Sequence, residues 1–207
     1  GHGDVEKQTL WQLGYLLAHD TPFNNYRNNA IRIEDLNDII TTLSVGKEAE
    51  VVVITDACRS GKLAGSDNRG PALTAEQLAK QASNEVRIMS CKPDQKSYEG
   101  SIWGGGRGVF SWHFINGLKG LANDDNKPEI TREEIEIYLR TKFKEEQKNK
   151  TLEKRQNPQF SGDELFKLSK VHQDELAALE FELNPPMVAA AVATTTEVAA
   201  GSIMDKG

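Results

Sequence analysis

The stretch Val51-Val52-Val53-Ile54-Thr55-Asp56-Ala57-Cys58-Arg59-Ser60-Gly61 decides how the rest of the chain is read. Its β-branched run has no polar alternation, which predicts a strand buried on both faces, as in a parallel sheet covered by helices. The strand runs directly into a cysteine and then into small residues. Ligands in open parallel sheets bind outside the carboxyl ends of the strands, and Cys58 stands at such an end. A thiol placed there needs a base to become a thiolate near neutral pH. His2, in Gly1-His2-Gly3 ahead of the apolar run Leu13–Ala18, is the candidate base. The glycines beside it let the backbone come close to a substrate.

Outward from this segment the elements alternate. Gly1 to Asp4 reads as a polar loop, Leu13 to Ala18 as a strand and Asp20 to Asn29 as an Asn-rich loop. Leu36, Ile39, Ile40 and Leu43 recur at a helical period. Gly61 to Pro71 reads as an exposed loop. Thr74 with Gln77, and Thr131 with Glu134, have the spacing of capping boxes that open helices. Between them lie a strand at Val86–Ser90, a glycine break at Gly104–Gly106 and a helix at Val109–Leu118. Ile135, Leu139 and Phe143 mark the buried face of the helix after Thr131. A short strand fits Glu164–Leu168. This order predicts an α/β fold with a mainly parallel sheet. From residue 169 to 207 the chain, with Pro185-Pro186 and an Ala/Val/Thr stretch, reads as linker or disordered tail.

Composition bounds the function. The 207 residues carry 38% hydrophobic and 27% charged side chains and a net charge of −6. No Lys/Arg-rich run marks a nucleic-acid partner, and no apolar run reaches the length of a membrane-spanning helix. Cys58 and Cys91 are too few for a disulfide scaffold or a four-cysteine zinc site, although they could pair with each other. His19, His113 and His172 lack metal-ligand spacing, and no metal is expected. The glycine run is not followed by the Lys-Ser/Thr of a phosphate loop.

Gly1-His2-Gly3 together with Asp56-Ala57-Cys58-Arg59-Ser60-Gly61 resembles the caspase-like cysteine peptidases, closest to their bacterial caspase-like and metacaspase branch. Met89–Gln95, Gly105–Phe110 and Gln156–Gln159 resemble further motifs of that branch, so the likeness covers about residues 1 to 168. It implies a caspase-like three-layer sandwich and an endopeptidase that works by a Cys–His dyad through an acyl-enzyme. Cys58 would be the nucleophile and His2 the general base and acid. The backbone N–H groups of Gly3 and Cys58 would form the oxyanion hole. Asp56 would lie in the pocket for the residue before the cut bond. Caspases that cleave after Asp carry Gln at that position. A carboxylate there repels Asp and favours Arg or Lys, so the expected partners are proteins or peptides with basic residues.

Four expectations complete the reading. The chain starts at the histidine loop, so it reads as a fragment lacking the first strands of the sheet, which would leave an unpaired edge. Asp20, Glu34 and Asp35 fall where some metacaspases gather acids for calcium, but Leu13 stands near another acid position, so no cofactor is expected. Lys62 and Arg69, in the exposed loop, are candidate self-cleavage points. The compartment is open, with the cytoplasm as default. Each site residue also has a plainer role: Cys58 as a buried apolar-like residue, Asp56 as an acceptor for nearby backbone, Cys91 in the core or at its rim. A catalytically silent caspase-fold interaction module is the alternative function.

Overall fold

The structure, a computed structural model, describes residues 1–6, 13–23, 25–58, 75–124 and 127–184. Its centre is the fully buried strand β5 (Glu85–Met89). It pairs in parallel with β4 (Val51–Thr55) and antiparallel with β9 (Gln159–Ser161), giving the order β4-β5-β9. Side chains alternate across a strand, and β5 uses its two faces differently. Val86 and Ile88 enter an apolar cluster with Phe110 and Phe114 of α3 (Val109–Asn116) and with Ile135, Leu139 and Phe143 of α4 (Arg132–Lys148). Met89, on the other face, packs with Ile33 and Leu36 of α1 (Ile33–Thr41).

That second face also buries a charged pair. The Arg87 guanidinium donates to Glu85, and both side chains are almost fully enclosed. Arg87 also donates to Asn37 Oδ1 of α1 at 2.5 Å. Glu85 accepts from Ser44 Oγ at 3.3 Å and from Gln81 Nε2 of α2 (Ala75–Asn84) at 3.2 Å. Helices thus lie on both sides of β5.

The remaining strands form small antiparallel units. β1 (His2–Val5), β2 (Gly14–Leu17) and β3 (Ala30–Arg32) form one sheet in that order. β6 (Glu99–Gly100) pairs with β7 (Arg107–Gly108), and β8 (Glu129–Thr131) pairs with β10 (Lys167–Lys170). A mainly parallel sheet is therefore not what the described residues form: of their pairings, β4–β5 alone is parallel. The antiparallel strands are short, and runs of two to four residues give little period-2 signal; β8 with β10 and β5 with β9 also pair across intervening elements.

Other expectations meet the structure unevenly. β4 exists, but it is not buried on both faces. Val52 and Ile54 are 39% and 46% exposed, because α3 and α4 pack over β5 and β9 rather than over β4. The far edge of β4 has no strand partner among the described residues. His2 lies in a strand, not a loop, because β1 pairs from His2 opposite Leu17 to Val5 opposite Gly14. The capping box at Thr131 and Glu134 is complete in both directions and opens α4. Its counterpart at Thr74 lies outside the described residues. The start of the segment read as linker or tail is ordered: β10 extends to Lys170 and α5 covers Gln173–Leu183. Leu179 of α5 is buried and Leu176 sits against Gly120.

Arg87→Met leaves the Glu85 carboxylate buried without its cation. Urea unfolding is expected to lose about 3–5 kcal/mol, the typical cost of breaking a buried pair from one side. A loss below about 1 kcal/mol would mean that the pair behaves as a surface one.

Candidate active site

β4 ends at Thr55, and the chain turns through Ala57 and Cys58. Asp56 and Cys58 therefore do not share a strand face, as residues two apart on an extended strand would. The two side chains meet by another route, at Ser97. The Cys58 thiol lies 3.9 Å from the Ser97 carbonyl. The Ser97 hydroxyl donates to Asp56 Oδ1 at 2.5 Å.

The other Asp56 oxygen, Oδ2, accepts from the Ser111 hydroxyl at 2.6 Å and from the Ser111 N–H at 3.2 Å. Ser111 is in the first turn of α3, so Asp56 satisfies one of the N–H groups that a helix start leaves free. It also brings a negative charge to the positive end of the helix dipole. Gly108 lies directly against this carboxylate, and a side chain there would collide with it.

β1 passes beside the same turn. The Gly1 nitrogen donates to the Asp56 carbonyl at 2.7 Å. The Gly3 Cα faces the Cys58 carbonyl so closely that a Cβ would overlap the oxygen. His2 lies between these two contacts. Its side chain is exposed, and Cys58 is half-buried. Among the site residues expected from sequence, His2, Gly3, Asp56 and Cys58 thus belong to one neighbourhood. Lys62 and Arg69 lie outside the described residues.

Cys91 is fully buried beside the same turn. Its thiol contacts the carbonyls of Ala57 at 3.5 Å and Gln95 at 3.4 Å. Both cysteines are free thiols, not a disulfide. The acids considered for calcium are occupied separately: Glu34 and Asp35 face Arg32, and Asp20 accepts from Asn29 at 3.0 Å. Among the described residues no three His, Cys, Asp or Glu side chains gather closely enough to hold a metal ion.

Sequence reasoning missed the groups that hold this neighbourhood together. Gln156 is almost completely buried and binds the 90–98 segment three times. Its Nε2 donates to the Ser90 carbonyl at 2.9 Å and to Ser97 Oγ at 3.2 Å, and its Oε1 accepts from the Tyr98 N–H at 3.0 Å. Tyr98 follows Ser97. Its phenol is pushed above its ordinary value first by burial and then by the Glu153 charge, with Cys58 as a weaker like charge, while a backbone bond at Lys154 opposes the shift. The signal for Gln156 was present in Gln156-Asn157-Pro158-Gln159, read as a family likeness without a role. Ser97 and Ser111 had no local signal, because their partner is far away in sequence.

A second, partly buried cluster centres on Glu146. His113 Nε2 donates to Glu146 Oε1 at 2.7 Å, and Trp103 Nε1 donates to the same oxygen at 2.9 Å. Thr151 Oγ1 donates to Glu146 Oε2. Burial holds His113 below its ordinary value against the pull of Glu146, so the imidazole is neutral. Burial pushes Glu146 up, but the hydrogen bonds from Thr151, His113 and Trp103 outweigh it and hold the carboxyl low.

The model of one family, the caspase domain, matches residues 1–169 of this chain. Among curated proteins no relative matches it.

The His113–Glu146 pair makes a pH prediction. Each group binds fewer protons folded than unfolded, so both favour the folded state at neutral pH. The His113 contribution fades as pH falls below about 6.5 and the Glu146 contribution as it falls below about 4.5. Urea midpoints are expected to drop on acidification through this range. The drop just below the histidine value should be shallower in His113→Gln, and an unchanged slope would contradict the neutral buried imidazole.

Proposed function

The chain belongs to the caspase domain family, whose members are cysteine peptidases acting on proteins, and from that premise we propose that it is an endopeptidase cutting after Arg or Lys with Cys58 and His2 as a catalytic dyad. The observation that carries the reading is the seating of β1 on the cysteine turn. Gly1 and Gly3, on either side of His2, contact Asp56 and Cys58. That seating brings the backbone on both sides of His2 onto the cysteine turn; because side chains alternate along β1, Gly1 and Gly3 face the turn, and the exposed imidazole has to swing from the opposite face to reach the thiol.

In the proposed reaction His2 takes the thiol proton as Cys58 sulfur attacks the scissile carbonyl. The tetrahedral oxyanion is held by the N–H groups of Gly3 and Cys58, which contributes about 3–4 kcal/mol in comparable sites. His2 then protonates the leaving amine, and water hydrolyses the thioester with the imidazole again as base. No step calls for a metal or cofactor.

Asp56 supplies the specificity. Its carboxylate has roughly four acceptor directions, and Ser97 and Ser111 donate into three of them. Two of those donors are hydroxyls, which rotate and so can yield to an incoming guanidinium or ammonium. Arg is favoured because its planar fork pairs bidentately with a carboxylate. The likeness at Met89–Gln95 and Gln156–Gln159 supports the bacterial caspase-like and metacaspase branch, and the helices on both sides of β5 support the three-layer architecture of that family.

The decisive assay uses fluorogenic Arg, Lys and Asp peptides. Arg and Lys peptides are expected to turn over and the Asp peptide not. Cys58→Ala should abolish activity, and His2→Ala should lower kcat by about 10²–10⁴-fold. Asp56→Asn should lower kcat/KM for Arg peptides at unchanged fold. Preference for the Asp peptide would overturn the specificity. Absence of turnover with an inert Cys58 would leave the silent interaction module. If Lys62 and Arg69 are self-cleavage points, mass spectrometry of termini should show cuts after them in wild type and none in Cys58→Ala.

A further inference from the structure

Glu146 is distant in sequence from every residue of the proposed site, yet three segments converge on its carboxylate. Trp103 comes from the loop between β6 and β7, His113 from α3, and Thr151 from the segment after α4. Each of these segments also carries a group that frames Cys58 or Asp56. The segment that carries this loop, from Ser97 through β6 and β7 to Gly108, meets the Asp56 carboxylate at both ends. The helix of His113 carries Ser111. The segment of Thr151 leads to Gln156, which holds Ser97 and Tyr98.

The loop itself is wound around Trp103. The Trp103 N–H donates to the Gly100 carbonyl at 3.1 Å, and its own carbonyl accepts from the Arg107 N–H at 2.9 Å. The indole is buried in the main apolar cluster. An indole nitrogen is donor only, and the oxygen it meets is a charged acceptor, which makes the bond strong and directional. Thr151 is fastened twice, since its backbone N–H also donates to the Glu146 carbonyl at 3.1 Å.

We propose that Glu146 is a positioning residue for the specificity pocket: by holding Trp103, His113 and Thr151 on one carboxylate it fixes Ser97, Gly108 and Ser111 around Asp56. It touches neither substrate nor thiol. The proposal rests on the peptidase reading of the site for its effect on catalysis, while the clamp itself can be read without activity.

The test compares full-length wild type with Glu146→Ala, Glu146→Gln and Trp103→Phe. Hydrogen exchange at residues 97–111 should quicken in Glu146→Ala and, less, in Trp103→Phe, with exchange in β5 unchanged. Glu146→Gln keeps an acceptor oxygen and should stay close to wild type. With Arg peptides, Glu146→Ala should raise KM by about tenfold or more, the loss expected of a hydrogen bond to a charged group, with kcat changed far less. Unchanged exchange at 97–111, or equal quickening in β5, overturns the clamp. A fall in kcat at unchanged KM overturns its role in the pocket. If wild type turns over no peptide, the peptidase reading fails on its own, and the exchange comparison still decides for or against the clamp.

Discussion

The structure depends on one close approach: the backbone of Gly3 against the carbonyl of Cys58, with no room between them for a side chain. Only glycine permits that distance. The contact binds the hairpin sheet of β1 to β3 to the chain that leaves the central sheet, beside the Gly1–Asp56 bond and the packing of Leu16 on the Met89 cluster. It brings the histidine strand to the cysteine turn, and the proposed chemistry needs that juxtaposition.

The second constraint acts on the opposite side of the turn. Asp56 is at once the cap of α3 and the proposed anchor for a basic side chain. These roles do not exclude one another. A carboxylate fixed by Ser97 and Ser111 is pre-organised, and a fixed charge loses less on binding than a mobile one. The same network makes the pocket sensitive to anything that moves the 97–108 loop or the start of α3, which is why Gln156 and Glu146 matter although neither adjoins the turn in sequence.

Much of the fold was legible locally. The β-branched run at Val51–Thr55 formed its strand, Leu36 and Ile40 lie in the expected helix, and the Thr131–Glu134 spacing formed its capping box. These features depend on residues within a turn or two of each other. The cysteine, the histidine and the aspartate were legible as a motif. The rest was written in distant partners. The exposed face of Val52 and Ile54 reflects where α3 and α4 pack, which no strand pattern encodes. α5 escaped notice because its acidic, alanine-rich sequence hides a short stripe at Leu176, which meets Gly120, and the buried Leu179. Ser97, Ser111, Gln156 and Glu146 are ordinary polar residues until the fold sets them face to face.

The central claim is that the imidazole of His2 acts on the thiol of Cys58. Alkylation by iodoacetamide at neutral pH, followed at each cysteine by mass spectrometry in wild type and in His2→Ala, tests it most directly. The account predicts rapid labelling of Cys58, little of the buried Cys91, and a severalfold slower reaction at Cys58 once His2 is removed. Equal labelling rates at Cys58 in the two proteins would contradict it.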